Sequence, residues 1–277
     1  MDGELTIWRD KLLAWFAGIE SCAVALSAGV DSGVVAKAAF LALGERAIAV
    51  TGASDSLARG ELEEARELAK LIGIRHFVIE TREFAKPEYL RNAPDRCYHC
   101  KTELYDQMQA GASSWGVACL INGLNADDLG DYRPGIRAAN EHAVRSPLAE
   151  CGINKAKVRE LAEHWGLPIW DKPATPCLSS RVAYGEEVTP ERLANIDAAE
   201  RYLRSLGLRE VRVRYHRGDL ARIEAPIEAI AKLASEPLRE ELAVKLQSLG
   251  FKFITIDLQG FRSGSLNSLV SLELAKG

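Results

Sequence analysis

The sequence predicts an α/β protein with a doubly wound parallel sheet, followed by a smaller C-terminal α+β domain. Through the first 170 or so residues, short continuous apolar runs, typical of strands buried on both faces, alternate with helical patterns. A chain of 277 residues is long enough for one large and one small domain. Two prolines in DKPATPC then interrupt regular structure, so we divide the chain into domains at 1–172 and 173–277.

The elements of the first domain follow in order. The amphipathic N-terminal segment lacks the regions of a signal peptide and predicts a first helix. In the sheet predicted after it, ligands are expected beyond the carboxyl ends of the strands. The predicted elements are the strand CAVALS (22–27), a helix over 30–43, the strand RAIAVTG (46–52), a helix over 59–72, the strand RHFVIET (75–81), the strand GVACLING (116–123) and a helix over 154–165.

The second domain mixes helices and strands without the repeating alternation of the first. Its predicted elements are a helix over 190–206, the strand EVRVRYH (210–216), a return strand ARIEA (221–225), one or two helices over 226–249 and the strand FKFITIDL (251–258). The alternation in EVRVRYH puts Arg212, Arg214 and His216 on one face. Arginines two residues apart can bind a phosphate together, although a solvated strand face has the same pattern.

Composition narrows the classes of function. The net charge of −4 disfavours a non-specific nucleic-acid binder, and no apolar run approaches the length of a membrane span. We therefore expect a cytoplasmic protein without a membrane or nucleic-acid partner. Six cysteines in a reducing compartment are expected to be thiols or metal ligands rather than a disulfide framework.

A motif of small and polar residues lies at the first strand-to-helix junction. Small residues let a backbone approach a phosphate closely, and the following helix adds its positive N-terminal end. An ordinary turn with a serine cap is the simpler alternative. The motif resembles the PP-loop, the SGGxDS signature of the ATP pyrophosphatases, which have an adenine nucleotide alpha hydrolase-like fold. Its residues are Ser27, Ala28, Gly29, Val30, Asp31 and Ser32.

The PP-loop resemblance implies ATP binding and cleavage between the α and β phosphates. Ala28 stands where the family usually has a second glycine, and its methyl is tolerable if φ is negative there. Asp31 is the first candidate ligand for Mg²⁺, since this ion prefers oxygen. Further candidates for the nucleotide site follow later strands: Thr51, Ser54, Gly123 and, as a second Mg²⁺ ligand, Asp128.

The cysteines offer a possible metal site. Cys97 and Cys100 form a CxxC, which we expect on a loop leading into a helix, and Cys177 lies far along the chain. Cys22 and Cys119 fall within apolar strands and are expected to be structural. Spacing alone leaves structural zinc, a redox pair and a 4Fe–4S cluster with one open iron as alternatives for the CxxC.

Several longer segments make the chain resemble the LarE family over nearly its whole length. These are ATP-dependent sulfur transferases that build the nickel-pincer nucleotide cofactor of lactate racemase. One kind of LarE sacrifices the sulfur of a single cysteine, matching Cys177, whereas the other binds a 4Fe–4S cluster through three cysteines. The segments are ARGELEEARELAKLIGIRHFVIET, NAPDRCYHCKTELY, NADDLGDYRPG, KPATPCLSSRVAYGE, AERYLRSLGLREVRVRYH and DLQGFRSGSLN.

With its CxxC and Cys177, this chain resembles the cluster type. The resemblance then implies that Mg–ATP adenylates the carboxylates of pyridinium-3,5-biscarboxylic acid mononucleotide and that sulfide converts them to thiocarboxylates. It assigns the phosphate of this small-molecule substrate to Arg212 and Arg214, and places Ser180, Arg181 and Glu200 at the active site. Arg181 would stabilise the activated carboxyl or an ATP phosphate. LarE relatives assemble into hexamers, so a homo-oligomer is expected.

Four other functions compete with this one. Cys177 could act alone as a sacrificial sulfur donor while the CxxC binds zinc. A PP-loop tRNA thiolase would also use ATP and cysteines, but it predicts a basic groove for RNA. A PP-loop amide synthase gives no reason for three such cysteines. A nucleotide-binding regulatory or metal-sensing module would bind without turnover.

Overall fold

The computed structural model describes residues 3–130, 134–262 and 265–266. The second domain is therefore described only in part, and residues 1–2 of the predicted first helix lie outside the described ranges. So do residues 131–133 of NADDLGDYRPG and residues 263–264 and 267 of DLQGFRSGSLN. Within the described ranges, every helix is too short or too polar to cross a lipid bilayer.

The chain divides into two compact units, and each of them combines separate stretches of sequence. The first unit contains Met1–Glu83 and Cys97–Thr175, and the second contains Phe84–Arg96 and Pro176–Gly277. Hydrogen bonds tie Phe84–Arg96 into the second unit, because the Asn92 side chain donates to the carbonyl oxygens of Val182 and Ala183 at 3.2 and 2.8 Å. The linear division at 172 and 173 had left this segment in the first domain.

The first unit is built on a four-stranded parallel sheet with the order β3-β2-β1-β4. Its first elements are α1 (Gly3–Phe16), β1 (Cys22–Ala25), α2 (Val30–Leu43), β2 (Ala47–Ala53), α3 (Glu61–Ile72) and β3 (Arg75–Glu80). The next helix along the chain, α4 (Pro87–Leu90), belongs to the second unit. The first unit then continues with α5 (Arg96–Trp115), β4 (Cys119–Ile121), α6 (Pro134–Glu141), α7 (Pro147–Glu150) and α8 (Lys155–His164).

Both faces of this sheet are covered by helices, as the apolar runs predict. Alternate residues of β1 enter opposite cores, because successive side chains of a strand point to opposite faces. Val24 packs with residues of α1, α2, α3 and α8, whereas Ala23 packs with residues of α5 and α6. The predicted doubly wound α/β fold is therefore confirmed.

The second unit has a three-stranded mixed sheet with the order β5-β6-β7. Strands β5 and β6 pair antiparallel, and β6 and β7 pair parallel. The predicted return strand and the two helices before the last strand are all present. Its elements are α4, α9 (Pro190–Ser205), β5 (Arg212–His216), β6 (Leu220–Glu224), α10 (Ile227–Leu233), α11 (Leu238–Ser248) and β7 (Phe253–Ile256).

Candidate nucleotide and substrate sites

The loop of residues 27–32 connects β1 to α2 and closes on itself through two serines. Ser32 Oγ donates to the Gly29 carbonyl oxygen at 3.1 Å, so its single hydrogen is occupied. It must then accept from the Ser27 N–H at 3.1 Å and from Ser27 Oγ at 3.2 Å. Both hydroxyls therefore shape the loop, and contact of Ser27 or Ser32 with a nucleotide stays a prediction.

The first turn of α2 offers backbone N–H groups instead. The helix begins at Val30, and Gly29 at its N-cap has no side chain to satisfy these donors. No other side chain caps this helix start within the described residues. N–H groups at a helix start, together with the helix dipole, attract an anion such as phosphate. The loop can therefore hold a phosphate group mainly with its backbone.

Ala28 adopts a left-handed backbone conformation, with φ of 54°. The condition stated from the sequence, a negative φ at this alanine, is therefore not met, and the loop has a conformation that glycine adopts more readily. The conformation costs an alanine about 1 kcal/mol. Its methyl group is fully buried in the core beside α2, which offsets this cost by about 0.8 kcal/mol.

Gly123 lies directly after β4 and touches the backbone at the start of α2. A Cβ atom at Gly123 would lie 2.7 Å from the Ser32 nitrogen and 3.0 Å from the Asp31 carbonyl carbon. Only a residue without a side chain allows this approach. In the structure, Gly123 packs against the backbone of Asp31 and Ser32. The sequence predicted that Gly123 contacts the nucleotide, and that contact stays a prediction.

Asp31 is held by two partners from distant parts of the chain. Lys155 at the start of α8 forms a salt bridge with one of its carboxylate oxygens, and Asn125 Nδ2 donates to the other at 3.2 Å. The Asn125 N–H in turn donates to an Asp128 carboxylate oxygen at 3.2 Å. Asp31 and Asp128 are thus linked through one residue.

This donor set suits Mg²⁺, which proteins bind through one or two carboxylates together with substrate phosphates. The Lys155 ammonium already occupies a cation position beside Asp31. The sequence missed Lys155, because this residue lies outside the PP-loop signature and no local pattern links it to Asp31.

Thr51 lies near the end of β2 and Ser54 directly follows that strand, and both hydroxyls are engaged within the protein. Thr51 Oγ1 lies 2.8 Å from the Leu26 carbonyl oxygen and 2.8 Å from His76 Nε2. Ser54 Oγ donates to Glu83 at 2.5 Å. Burial, helped by a nearby arginine, lowers the pKa of His76, which favours the neutral ring. A nucleotide contact by either hydroxyl stays a prediction.

The CxxC lies on a helix rather than on the predicted loop. Cys97 and Cys100 are in the first turn of α5, three residues apart and therefore neighbours on one helix surface. Cys97 is exposed and Cys100 is half-buried. Cys22 and Cys119 lie in β1 and β4, as predicted, and burial raises the pKa of Cys22 to about 12, which makes a thiolate there unfavourable.

Cys177 belongs to the second unit and is half-buried just before the 3₁₀ helix Leu178–Arg181. In the part of the chain that the structure describes, no group of three or more His, Cys, Asp and Glu side chains is assembled as a metal site. The ligand set Cys97, Cys100 and Cys177 therefore stays a prediction. Thiolates from accessible cysteines are nevertheless the correct ligand chemistry for an iron–sulfur cluster.

Arg181 stabilises the turn that follows Cys177. Its guanidinium forms a buried salt bridge with Glu200 at 3.0 Å and donates to the carbonyl oxygens of Pro176 and Cys177. It also donates to Ser180 Oγ at 3.1 Å. Arg181 and Glu200 are 4% and 1% exposed, so in this structure the pair fixes the backbone beside Cys177.

The two arginines of β5 have different surroundings. Arg214 donates to Glu224 at 2.9 Å, to the Ser180 carbonyl oxygen at 3.0 Å and to Ser265 at 2.9 Å. Arg212 is 5% exposed, and its guanidinium stacks on the ring of Phe261 and forms no hydrogen bond within the described residues. A solvated strand face is therefore excluded, and the two arginines do not form an equivalent pair.

The charges around Arg212 and Arg214 differ as well. Burial, together with the like charges of Arg214 and Arg181, lowers the pKa of Arg212 to about 10. Burial would raise the pKa of Glu224, but the hydrogen bonds from Arg214 and Ser265 outweigh it and lower the pKa. Among the described residues, Arg212 is thus a buried cation without a hydrogen-bonded counter-charge, which is unfavourable unless an anion binds.

No family model matches the chain. Individual proteins do match it over almost all of its length. An uncharacterized protein of Synechocystis sp. is 47% identical over 262 residues, which cover 95% of this chain and 97% of the relative. The pyridinium-3,5-bisthiocarboxylic acid mononucleotide synthase of Lactiplantibacillus plantarum is 38% identical over 270 residues, which cover 96% of each chain. The chain belongs to the LarE family.

The chain also matches more distant proteins of the PP-loop group. The tRNA-specific 2-thiouridylase MnmA of Xanthobacter autotrophicus is 30% identical over 189 residues, which cover 54% of this chain and 48% of that protein. This LarE-family chain is an enzyme, an ATP-dependent sulfur transferase. Membership of the LarE family confirms the resemblance that the sequence motifs indicate.

Sequence reasoning missed several charged residues of the two LarE sites. Lys155 and Lys172 contact the loop, Glu224 neutralises Arg214, and Arg222 also bonds to Glu224 at 3.0 Å. Glu224 lies in the segment ARIEA, where the pairing of β5 with β6 could have suggested it as the partner of an arginine. The two lysines carry no comparable local signal.

Proposed function

We propose that this LarE-family enzyme converts the carboxylates of pyridinium-3,5-biscarboxylic acid mononucleotide to thiocarboxylates for the nickel-pincer nucleotide cofactor of lactate racemase. The observation that carries the substrate assignment is Arg212, a nearly buried guanidinium without a hydrogen-bond acceptor among the described residues. A phosphate ester would supply that acceptor through a charge-assisted pair. The relative from L. plantarum is named for the corresponding product.

In the first half-reaction, the N–H groups at the start of α2 would bind the phosphates of ATP. A substrate carboxylate oxygen attacks the α-phosphorus, and pyrophosphate leaves with the electrons of the broken P–O bond. Lys155 would offer its ammonium to the phosphates, beside Asp31. Mg²⁺, held by Asp31 and Asp128, would neutralise charge on the leaving pyrophosphate.

In the second half-reaction, a sulfur nucleophile replaces AMP at the acyl carbon and leaves a thiocarboxylate. A second cycle would treat the second carboxylate. Arg181, by bonding to the carbonyl oxygen of Cys177, would hold the turn that presents this thiol. A 4Fe–4S cluster bound by Cys97, Cys100 and Cys177 would supply sulfide repeatedly.

The metal assignment is tested by anaerobic purification, followed by iron and sulfide analysis and a visible spectrum. We expect iron and sulfide in the wild type, and their loss in Cys97→Ala and Cys100→Ala. Cys151→Ala is the matched control, because this thiol is 3% exposed. Zinc without iron, unchanged in the two variants, would exclude the cluster. One thiolated product per chain, even with added sulfide, would instead indicate a sacrificial Cys177.

The substrate assignment is tested with Arg212→Met. We expect the KM for the mononucleotide to rise by about 10- to 100-fold, the loss of one charge-assisted hydrogen-bonding group. The free energy of unfolding should stay within about 1 kcal/mol of the wild type, because a buried charge without a partner is removed. Arg217→Met is the control, since that side chain is 94% exposed. An unchanged KM in Arg212→Met would refute the assignment.

We also propose a cytoplasmic homo-oligomer, a hexamer as in LarE relatives, that acts on a small molecule and uses neither nucleic acid nor membrane. Light scattering at several protein concentrations tests the assembly. Incubation with tRNA, ATP and sulfide should give no thiolated nucleoside, and thiolated tRNA would favour the tRNA thiolase alternative.

A further inference from the structure

Lys172 contacts the backbone of the phosphate-binding loop from the opposite end of the first unit's sequence. Its ammonium donates to the Ala28 carbonyl oxygen at 3.1 Å and to a Glu64 carboxylate oxygen at 2.5 Å. The Lys172 side chain is 19% exposed and Ala28 is buried, whereas Glu64 is 54% exposed, so solvent weakens the salt bridge more than the bond to the Ala28 carbonyl. Lys172 is not part of the PP-loop signature.

The backbone of Lys172 is itself fixed. The Arg159 guanidinium of α8 donates to the carbonyl oxygens of Lys172 and Trp170 at 2.9 and 2.7 Å. The Lys172 N–H donates to the Ile169 carbonyl oxygen at 3.0 Å. The ammonium is therefore held in place by a side chain whose base is anchored to a core helix.

The contact with Ala28 has a geometric consequence for the next residue. The peptide bond between Ala28 and Gly29 is trans, and a planar trans peptide directs its carbonyl and its N–H in opposite directions. When Lys172 holds the Ala28 carbonyl on its own side, the Gly29 N–H must point away from Lys172. Within the described residues, that N–H donates no hydrogen bond.

We propose that Lys172 is a positioning residue that fixes the peptide between Ala28 and Gly29 so that the Gly29 N–H is presented to an ATP phosphate. The proposal rests on the proposed ATP site. Ala28 is held in a left-handed conformation, and among the described residues its carbonyl oxygen accepts its hydrogen bond from Lys172, so the ammonium sets the direction of this peptide. Glu64, at the first turn of α3, balances the charge of Lys172.

The test compares Lys172→Met with Glu64→Gln, because both variants break the salt bridge but only the first removes the bond to Ala28. The probe is the non-hydrolysable analogue α,β-methylene-ATP with Mg²⁺, titrated by calorimetry into the full-length protein. We expect Lys172→Met to weaken binding about tenfold, and Glu64→Gln to stay within about threefold of the wild type. Lys172→Arg, which keeps a donor, should recover most of the affinity.

A second readout needs no nucleotide. The amide resonance of Gly29 in the free protein should shift in Lys172→Met and remain in place in Glu64→Gln. Equal binding by the wild type and Lys172→Met, or equal losses in Lys172→Met and Glu64→Gln, would overturn the role of Lys172 alone. A wild-type protein that does not bind the analogue would overturn the ATP site, and the positioning role with it.

Discussion

A single methyl group at Gly123 should displace the loop of residues 27–32. In Gly123→Ala the new Cβ would lie 2.7 Å from the Ser32 nitrogen and 3.0 Å from the Ser32 Cα. These neighbours are backbone atoms of the first turn of α2, which cannot rotate away as a side chain would. The start of the helix must therefore move, or β4 must.

The size of the effect follows from the distance. Ordinary contact begins at about 3.4 Å, so the two backbones must separate by about 0.7 Å. Overpacking of this kind costs about 1–3 kcal/mol of stability. Since misplacement of reacting groups by 1 Å can lower a rate by about 100-fold, we expect kcat/KM for ATP to fall by about 10- to 100-fold.

The assay measures pyrophosphate release at varied ATP concentrations, together with urea unfolding of the same preparation. Gly130→Ala is the matched control, because Gly130 ends the 3₁₀ helix Ala126–Gly130 after the same strand and a Cβ there would meet no described atom within 4 Å. A Gly123→Ala protein with wild-type stability and wild-type kinetics for ATP would refute the claim that this close approach holds the loop.

Three further substitutions test the energetics of the two units. Ala28→Gly should change the free energy of unfolding by less than about 1 kcal/mol, as measured by urea unfolding. Glycine relieves the strain of the left-handed conformation, but the buried methyl is lost and the unfolded chain becomes more flexible, so the effects offset each other. Glu224→Gln should destabilise the protein by about 3 kcal/mol, because it leaves Arg214, 2% exposed, without its counter-charge, and wild-type stability in thermal unfolding would contradict this. The hydrogen bond from Arg145 lowers the pKa of Glu150 from 4.5 to about 2, so its contribution is complete above about pH 4.5 and is lost as pH falls towards 2. Because the pair is partly exposed, Glu150→Gln should reduce the loss of unfolding free energy between about pH 4.5 and 2 by only about 1 kcal/mol. Unfolding at several pH values measures this loss, and the same loss in the variant and the wild type would count against the pair.

Much of the fold could be predicted because its signals are local. The apolar runs gave β1, β2, β3 and β4 in the correct order, and the helices between them followed from their spacing. Strand ends were less accurate: β1 ends at Ala25, two residues before the predicted end, because the apolar run continues into the loop as buried Leu26. The CxxC was placed on a loop, although Arg96–Trp115 is one continuous helix.

The candidate sites were predictable in position but not in their contacts. The loop of residues 27–32 lies at the carboxyl end of β1, as the parallel sheet requires. The sequence treated Arg212 and Arg214 as an equivalent pair, because strand alternation gives them the same face. Their environments differ because Glu224 and Ser180 both bond to Arg214 rather than to Arg212.

The amino-acid sequence by itself determined which segments become strands, which become helices, and where the turn with the PP-loop motif lies between them. These features depend on residues within a few positions of each other. The tertiary structure alone decided that Lys155 pairs with Asp31 across 124 residues and that Lys172 holds the Ala28 carbonyl across 144. Such partners are chosen by which helices pack against the same sheet, and charge complementarity between distant residues leaves no periodic trace in the chain.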